Sequence, residues 1–200
     1  MTKMIGLTGG IASGKSTVSN MLKKRGFTIL DADLASRVVV EPGQKAYGQI
    51  IEVFGKNILN EDKMINRAKL GSIIFNDDEK RKTLNSIVHP AVRECLNDWK
   101  IQALDKGKNT IIYDIPLLYE SNLTYLVEKV IVVFVDPHIQ LQRLLNRNGL
   151  TEEEAKARIS SQLPIQEKVN LADAIINNNG TIENTERQLN DLIVNWNLTP

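Results

Sequence analysis

The run MIGLTGGIASGKSTVSNML, Met4 to Leu22, passes from an apolar segment through a cluster of small residues into an amphipathic segment. Met4 to Thr8 reads as a buried strand, and Val18, Met21 and Leu22 mark one face of a helix. Between them Gly9, Gly14, Lys15 and Ser16 satisfy the pattern G-x-x-x-x-G-K-[ST]. The chemistry explains the residue types: the backbone must curl so that consecutive N–H groups converge on phosphate oxygens, and side chains there would block the anion. The helix that follows adds its positive end. The loop is therefore expected to hold the phosphates of ATP through Gly9, Gly10, Ala12, Ser13, Gly14, Lys15, Ser16 and Thr17. Lys15 would reach the outer phosphates, and the Ser16 hydroxyl would be a ligand of Mg²⁺. The loop alone leaves open whether the terminal phosphate passes to water, a protein or a metabolite.

Further apolar runs read as strands at Phe27 to Leu30, Thr110 to Asp114, Val130 to Asp136 and Asp173 to Asn177, with helical patterns between them. Strands apolar on both faces and alternating with helices predict an α/β fold of the P-loop NTPase type, three-layered around a five-stranded parallel sheet. Leu34 to Lys108 is too long for one crossover and reads as a helical insertion that would wall a substrate cleft. Within it, Asp77 to Lys82 reads as a solvated helix start. Thr151 with Glu154 forms a capping box for a helix that stops near Pro164, and Gly149 supplies a hinge before it. Ile182, Leu189, Leu192, Ile193 and Trp196 recur at helical spacing and read as core packing.

Bulk properties narrow the class. With 25 Lys and Arg against 24 Asp and Glu, the net charge of +1 provides no general field for nucleic acid or acidic membranes. The single Cys95 suits a structural thiol in a reducing compartment. No stretch approaches membrane-spanning length, so a cytoplasmic enzyme without nucleic-acid or membrane partners is expected. The D-x-x-G and N/T-K-x-D strings of GTP-binding switches do not occur, and there is no basic stripe of the kind a nucleic-acid motor uses. A small-molecule kinase remains, which needs an acceptor site on a separate wall and a cationic flap that excludes water.

Arg143 and Arg147, four residues apart, share one side of a helix and suit such a flap, unless they form a plain solvated face. Arg158 and Gln162 repeat the spacing, but Glu153 and Glu154 could pair with the nearby cations. Asp31 and Asp33 alternate at the end of the second strand, so only one of them faces a cleft if the strand continues. Asp33 is either the general base for an attacking hydroxyl or a helix N-cap, and Arg37 could hold an anionic acceptor. Asp114 is preferred over Asp136 as the carboxylate that holds Mg²⁺ through water, because Pro137 gives Asp136 the look of a turn start. His89, ahead of Pro90 and Arg93, is either structural or functional by its residue type alone. His138 reads as surface.

Taken in order, GLTGGIASGKST, DADLASR, IVHPAVR, DIPLLYE, RLLNRNGLTEEEAKARISSQLP and ADAIINNNG resemble the dephospho-CoA kinase family over nearly the entire chain. The resemblance implies transfer of the γ-phosphate of ATP to the 3′-hydroxyl of dephospho-coenzyme A. It implies Asp33 as general base and an acceptor pocket of Arg37, His89, Arg93 and the region from Asp114 through Leu117 to Glu120. Lys15, Arg143 and Arg147 would stabilise the transition state, and Asn178 and Gly180 would lie near adenine. It further implies a single kinase unit over residues 1–200, with a nucleotide-binding core of residues 1–33, 108–142 and 165–200, a helical coenzyme A region of residues 34–107 and a lid of residues 143–164. The rivals are a nucleoside or nucleotide kinase on the same fold, and a non-catalytic ATP-binding regulator.

Overall fold

The computed structural model describes residues 2–75 and 77–200; Met1 and Asn76, which fall inside the expected core and helical ranges, lie outside the described residues. The chain begins with β1 (Lys3–Gly9), α1 (Lys15–Lys24) and β2 (Thr28–Asp31). It continues through α2 (Ala32–Val38), α3 (Lys45–Phe54), α4 (Arg67–Phe75) and α5 (Asp78–Asp105). Then come β3 (Thr110–Asp114), β4 (Lys129–Phe134), α6 (Pro137–Asn148), α7 (Glu152–Ser160), α8 (Ile165–Asn170), β5 (Ala174–Asn177) and α9 (Ile182–Asn195). These elements form two compact units, one running to Leu30 and resuming at Gln102, the other spanning Asp31–Ile101.

In the first unit a five-stranded parallel sheet has the order β2-β3-β1-β4-β5. β1 sits at its centre, with Leu7 opposite Asp114 of β3 and Gly9 opposite Val133 of β4. Its residues from Ile5 to Gly9 are all buried, as a strand covered on both faces requires. The chain fills the β3 side of β1 before it crosses to β4, so the end of β1 lies where the winding reverses, and ligands of such sheets bind there. Ile5, Leu7, Val18, Leu22, Ile131 and Leu189 belong to the core, and Leu192, Ile193 and Trp196 pack on it from α9. Ile182 departs from the expected stripe: as the first residue of α9 it is 62% exposed.

The second unit has its own small core, in which Ile50, Ile58 and Leu70 are buried against Phe54, Ile74 and Ile87. β2 stops at Asp31, which corrects the expected alternation of Asp31 and Asp33 along a strand. Asp31 instead N-caps α2, its carboxylate accepting the Leu34 N–H at 3.0 Å. Asp33 consequently stands in the first helical turn, where a carboxylate complements the helix dipole. The start of α5 is solvated as read: the Asp77 carboxylate accepts the Lys80 N–H at 3.0 Å, and Lys80 N–H and ammonium together hold its pKa below the usual range. Cys95 lies half-buried on α5, where burial, and then the nearby Asp98 charge, push its thiol pKa up.

Candidate active site

The loop between β1 and α1 owes its shape to close packing behind it. A Cβ on Gly9 would stand 2.6 Å from Ser13 Oγ and 2.8 Å from Val133 O, and one on Gly14 would stand 2.0 Å from Asn178 Nδ2. Gly14 also has φ +89°, and Ala12 holds a left-handed φ of 59° that L-residues seldom adopt. The Ser13 N–H donates to Gly10 O at 3.1 Å, closing the turn. α1 then begins at Lys15 with no side-chain cap and no acidic residue in its first turn, which leaves its positive end suited to an anion. Ser16 is exposed at that end, and Lys23 and Lys24 complement the opposite one.

Lys15 Nζ donates to Asp114 Oδ1 as an ion pair, bringing the loop's cation to the last residue of β3. Asp114 is only 3% exposed, so a paired cation offsets part of the cost of keeping its charge there. The chain after it is clamped. Pro116 O accepts both Thr8 Oγ1 at 2.9 Å and Lys168 Nζ at 3.1 Å. Lys168 is 0% exposed and pairs with Glu120 at 2.8 Å, while the same Glu120 oxygen accepts the Leu163 N–H at 3.0 Å. Leu117 is exposed between these anchors. The Tyr119 hydroxyl donates to Leu171 O at 3.0 Å, and burial, followed by the Asp173 charge, pushes its pKa up to about 12.

α6 follows Asp136, with Pro137 at its first position, and ends at Gly149 in the left-handed conformation. Arg143 and Arg147 both lie on this helix. Arg143 is half-buried and its Nη2 donates to Asn178 O at 2.9 Å, whereas Arg147 is exposed and its Nε donates to Asn148 Oδ1 at 2.8 Å. α7 carries the expected capping box, with Thr151 and Glu154 bonded reciprocally. Beyond it, Gln162 Oε1 accepts the Ile11 N–H at 2.8 Å. Asn178 turns its amide onto the loop, Nδ2 donating to Ser13 O at 2.8 Å. Gly180 is exposed beside it.

In the second unit, Asp33 and Arg37 are exposed on α2, and His89 and Arg93 are exposed four residues apart on α5. Pro90 interrupts that helix between them, so its ladder lacks the bond to Ser86 O.

The sequence model for dephospho-CoA kinase matches residues 3–184. The chain belongs to the dephospho-CoA kinase family. A curated dephospho-CoA kinase of Geobacillus kaustophilus is 57% identical over 196 residues, 98% of each chain. Two solved structures are similar throughout. A Thermus thermophilus protein is 30% identical with a TM-score of 0.83, covering 100% of this chain and 99% of its own. The dephospho-CoA kinase from Campylobacter jejuni is 32% identical with a TM-score of 0.75, covering 98% of both. The phosphate-loop pattern led to the loop, the end of an apolar run to Asp114 and the family resemblance to Asn178, but several side chains packed around this candidate site carry no motif. Gln140, Lys168 and Thr185 are among the buried polar residues, and no sequence motif marks them. Gln162 was visible only through its spacing from Arg158.

Proposed function

We propose that the protein transfers the γ-phosphate of ATP to the 3′-hydroxyl of dephospho-coenzyme A, giving coenzyme A and ADP, the last step of coenzyme A synthesis. The observation that carries this reading is the curled loop ahead of an uncapped α1, with Lys15 drawn onto Asp114, in a chain of this family. The phosphates would lie in the loop from Gly9 to Thr17, against the N–H groups of Gly10, Ala12, Gly14, Lys15 and Ser16, and Lys15 would turn from Asp114 to the outer phosphates. The backbone from Asn178 to Gly180 would border adenine.

The donor set suits Mg²⁺. Ser16 Oγ and the Asp114 carboxylate are hard oxygens, and the described residues contain no cluster of three or more His, Cys, Asp or Glu that could cage a metal on its own. Mg²⁺ commonly takes one or two protein oxygens, with phosphates and waters completing its shell. When bound it would neutralise charge on the transferring group.

Asp33, exposed in the first turn of α2, would take the proton of the 3′-hydroxyl. Arg37, His89 and Arg93 would hold the anionic acceptor, and Asp114, Leu117 and Glu120 are assigned to the same substrate by the family resemblance. Arg143 and Arg147, with the lid of residues 143–164, would neutralise the equatorial oxygens and exclude water during transfer. Among the described residues no helix is long and apolar enough to cross a membrane. We place the enzyme in the cytoplasm, with small-molecule partners and no nucleic acid.

The test is an acceptor panel. Purified protein with Mg-ATP should release ADP with dephospho-coenzyme A at a kcat/KM at least about a hundredfold above that with nucleosides or nucleoside monophosphates, the discrimination expected when specific polar contacts choose the substrate. A preference for any of the other acceptors would overturn the assignment.

A further inference from the structure

Backbone N–H groups can converge on an anion only if the carbonyls of those peptides turn the other way, and carbonyls turned into protein need donors. Two carbonyls of the loop after β1 receive theirs from side-chain amides far away in sequence. Gln140 Nε2, on α6, donates to Ile11 O at 2.8 Å. Asn178 Nδ2, just past β5, donates to Ser13 O at 2.8 Å. Gln140 is 3% exposed and Asn178 is 7% exposed, so solvent is a poor substitute for either. The peptide ahead of Ile11 is held too, its N–H being accepted by Gln162 Oε1 at 2.8 Å. Between the two held carbonyls lies Ala12, whose left-handed φ of 59° persists only where surroundings impose it.

The direction of the Asn178 amide is itself determined. Its Oδ1 accepts Thr185 Oγ1 at 2.8 Å, and its backbone N–H donates to Phe134 O at 2.8 Å. Thr185 is fully buried and its hydroxyl also lies 3.3 Å from Thr181 O. A flipped amide would set Oδ1 against Ser13 O. Ser13 O, which only accepts, draws Nδ2 to the loop, and the Thr185 hydroxyl, by donating to Oδ1, holds the amide that way round.

We propose that Gln140 and Asn178, the latter oriented by Thr185, are positioning residues for nucleotide: by holding the carbonyls of Ile11 and Ser13 outward they keep the loop's N–H groups aimed at the phosphates. The inference rests on the reading of this loop as the ATP site. It assigns to Asn178 a role behind the loop, through Ser13, and places no demand on the acceptor.

Full-length protein carrying Gln140→Met, Asn178→Leu, Thr185→Val or Thr185→Ser tests it. ADP affinity is measured by calorimetry, KM for ATP and for dephospho-coenzyme A by steady-state kinetics, and melting temperature without ligand. Gln140→Met, Asn178→Leu and Thr185→Val are each expected to weaken ADP binding and raise the ATP KM by about tenfold, the size of effect a lost buried hydrogen bond produces. The dephospho-coenzyme A KM should change by less than about twofold, because uniform loosening is not the mechanism. Thr185→Ser, which keeps the hydroxyl, should restore ADP affinity. Unchanged ADP affinity despite a lowered melting temperature would overturn the inference, as would an equal rise in both KM values. If the larger changes prevent folding, the Thr185→Val and Thr185→Ser pair decides alone, since Val matches Thr in shape. A wild-type protein that does not bind ADP would instead overturn the nucleotide reading, and this inference with it.

Discussion

A carboxylate at position 33 can accept the proton of an attacking alcohol, and the isosteric amide cannot. Asp33→Asn is therefore expected to lower kcat by about a hundredfold or more. Nucleotide affinity should be unaffected, since ATP binding is assigned to the loop and α1. Single-turnover kinetics with a separate ATP titration checks this, and undiminished turnover would remove Asp33 from the base role. Position 33 also shows where reading a sequence meets its limit. DADLASR is compatible with a strand continuing past Asp31 or a helix starting there, and the choice falls to one local bond, the Asp31 carboxylate on the Leu34 N–H. Lys15 and Asp114 were both legible, because a phosphate loop and a strand-end carboxylate are each local signals; their ion pair joins residues 99 positions apart and was not.

Elements were easier to read than their attachments. β1 and β3 announce themselves as apolar runs because both faces are covered, and α7 announces itself by its capping box. The clamp on the chain after β3 has no such pattern: Lys168 sits in IQEKVN, polar enough for any surface helix, yet it is fully buried between Glu120 and Pro116 O. Glu120 keeps access to solvent, so removing the Lys168 ammonium chiefly leaves the Pro116 carbonyl without its donor. Lys168→Met is therefore expected to lower the unfolding free energy by about 1–2 kcal/mol. Adding Glu120→Gln should recover part of that loss. Urea denaturation of the single and double variants measures both, and an unaltered midpoint in the single variant would contradict the clamp. Glu120 also accepts the Leu163 N–H, so the same variant should speed amide exchange around the end of the proposed lid.

At the scale of the whole molecule, alkaline pH reports on packing. Burial, with the Asp173 charge second, raises Tyr119 from an ordinary 10.0 to about 12, so in this range the folded state keeps a proton that the unfolded state gives up. The stabilising contribution is complete below pH 10.0 and is lost as pH rises through the folded value near 12. Tyr119→Phe should consequently flatten the alkaline fall in stability, although burial raises Tyr113 in the same direction and some fall will remain. Denaturant titrations between about pH 8 and pH 11 check the difference between the two proteins. The overall architecture, a parallel sheet interrupted by a helical unit, was legible because it follows from the order and length of elements. The second unit spans Asp31–Ile101, with its own small core around Ile50, Ile58 and Leu70.

The most direct measurement of phosphate transfer is product analysis after incubation with Mg-ATP and dephospho-coenzyme A, by ³¹P NMR and mass spectrometry. Coenzyme A and ADP should appear in equal amounts, with the new phosphate on the ribose 3′-oxygen. Dephospho-coenzyme A recovered unchanged while ADP and inorganic phosphate accumulate would contradict it.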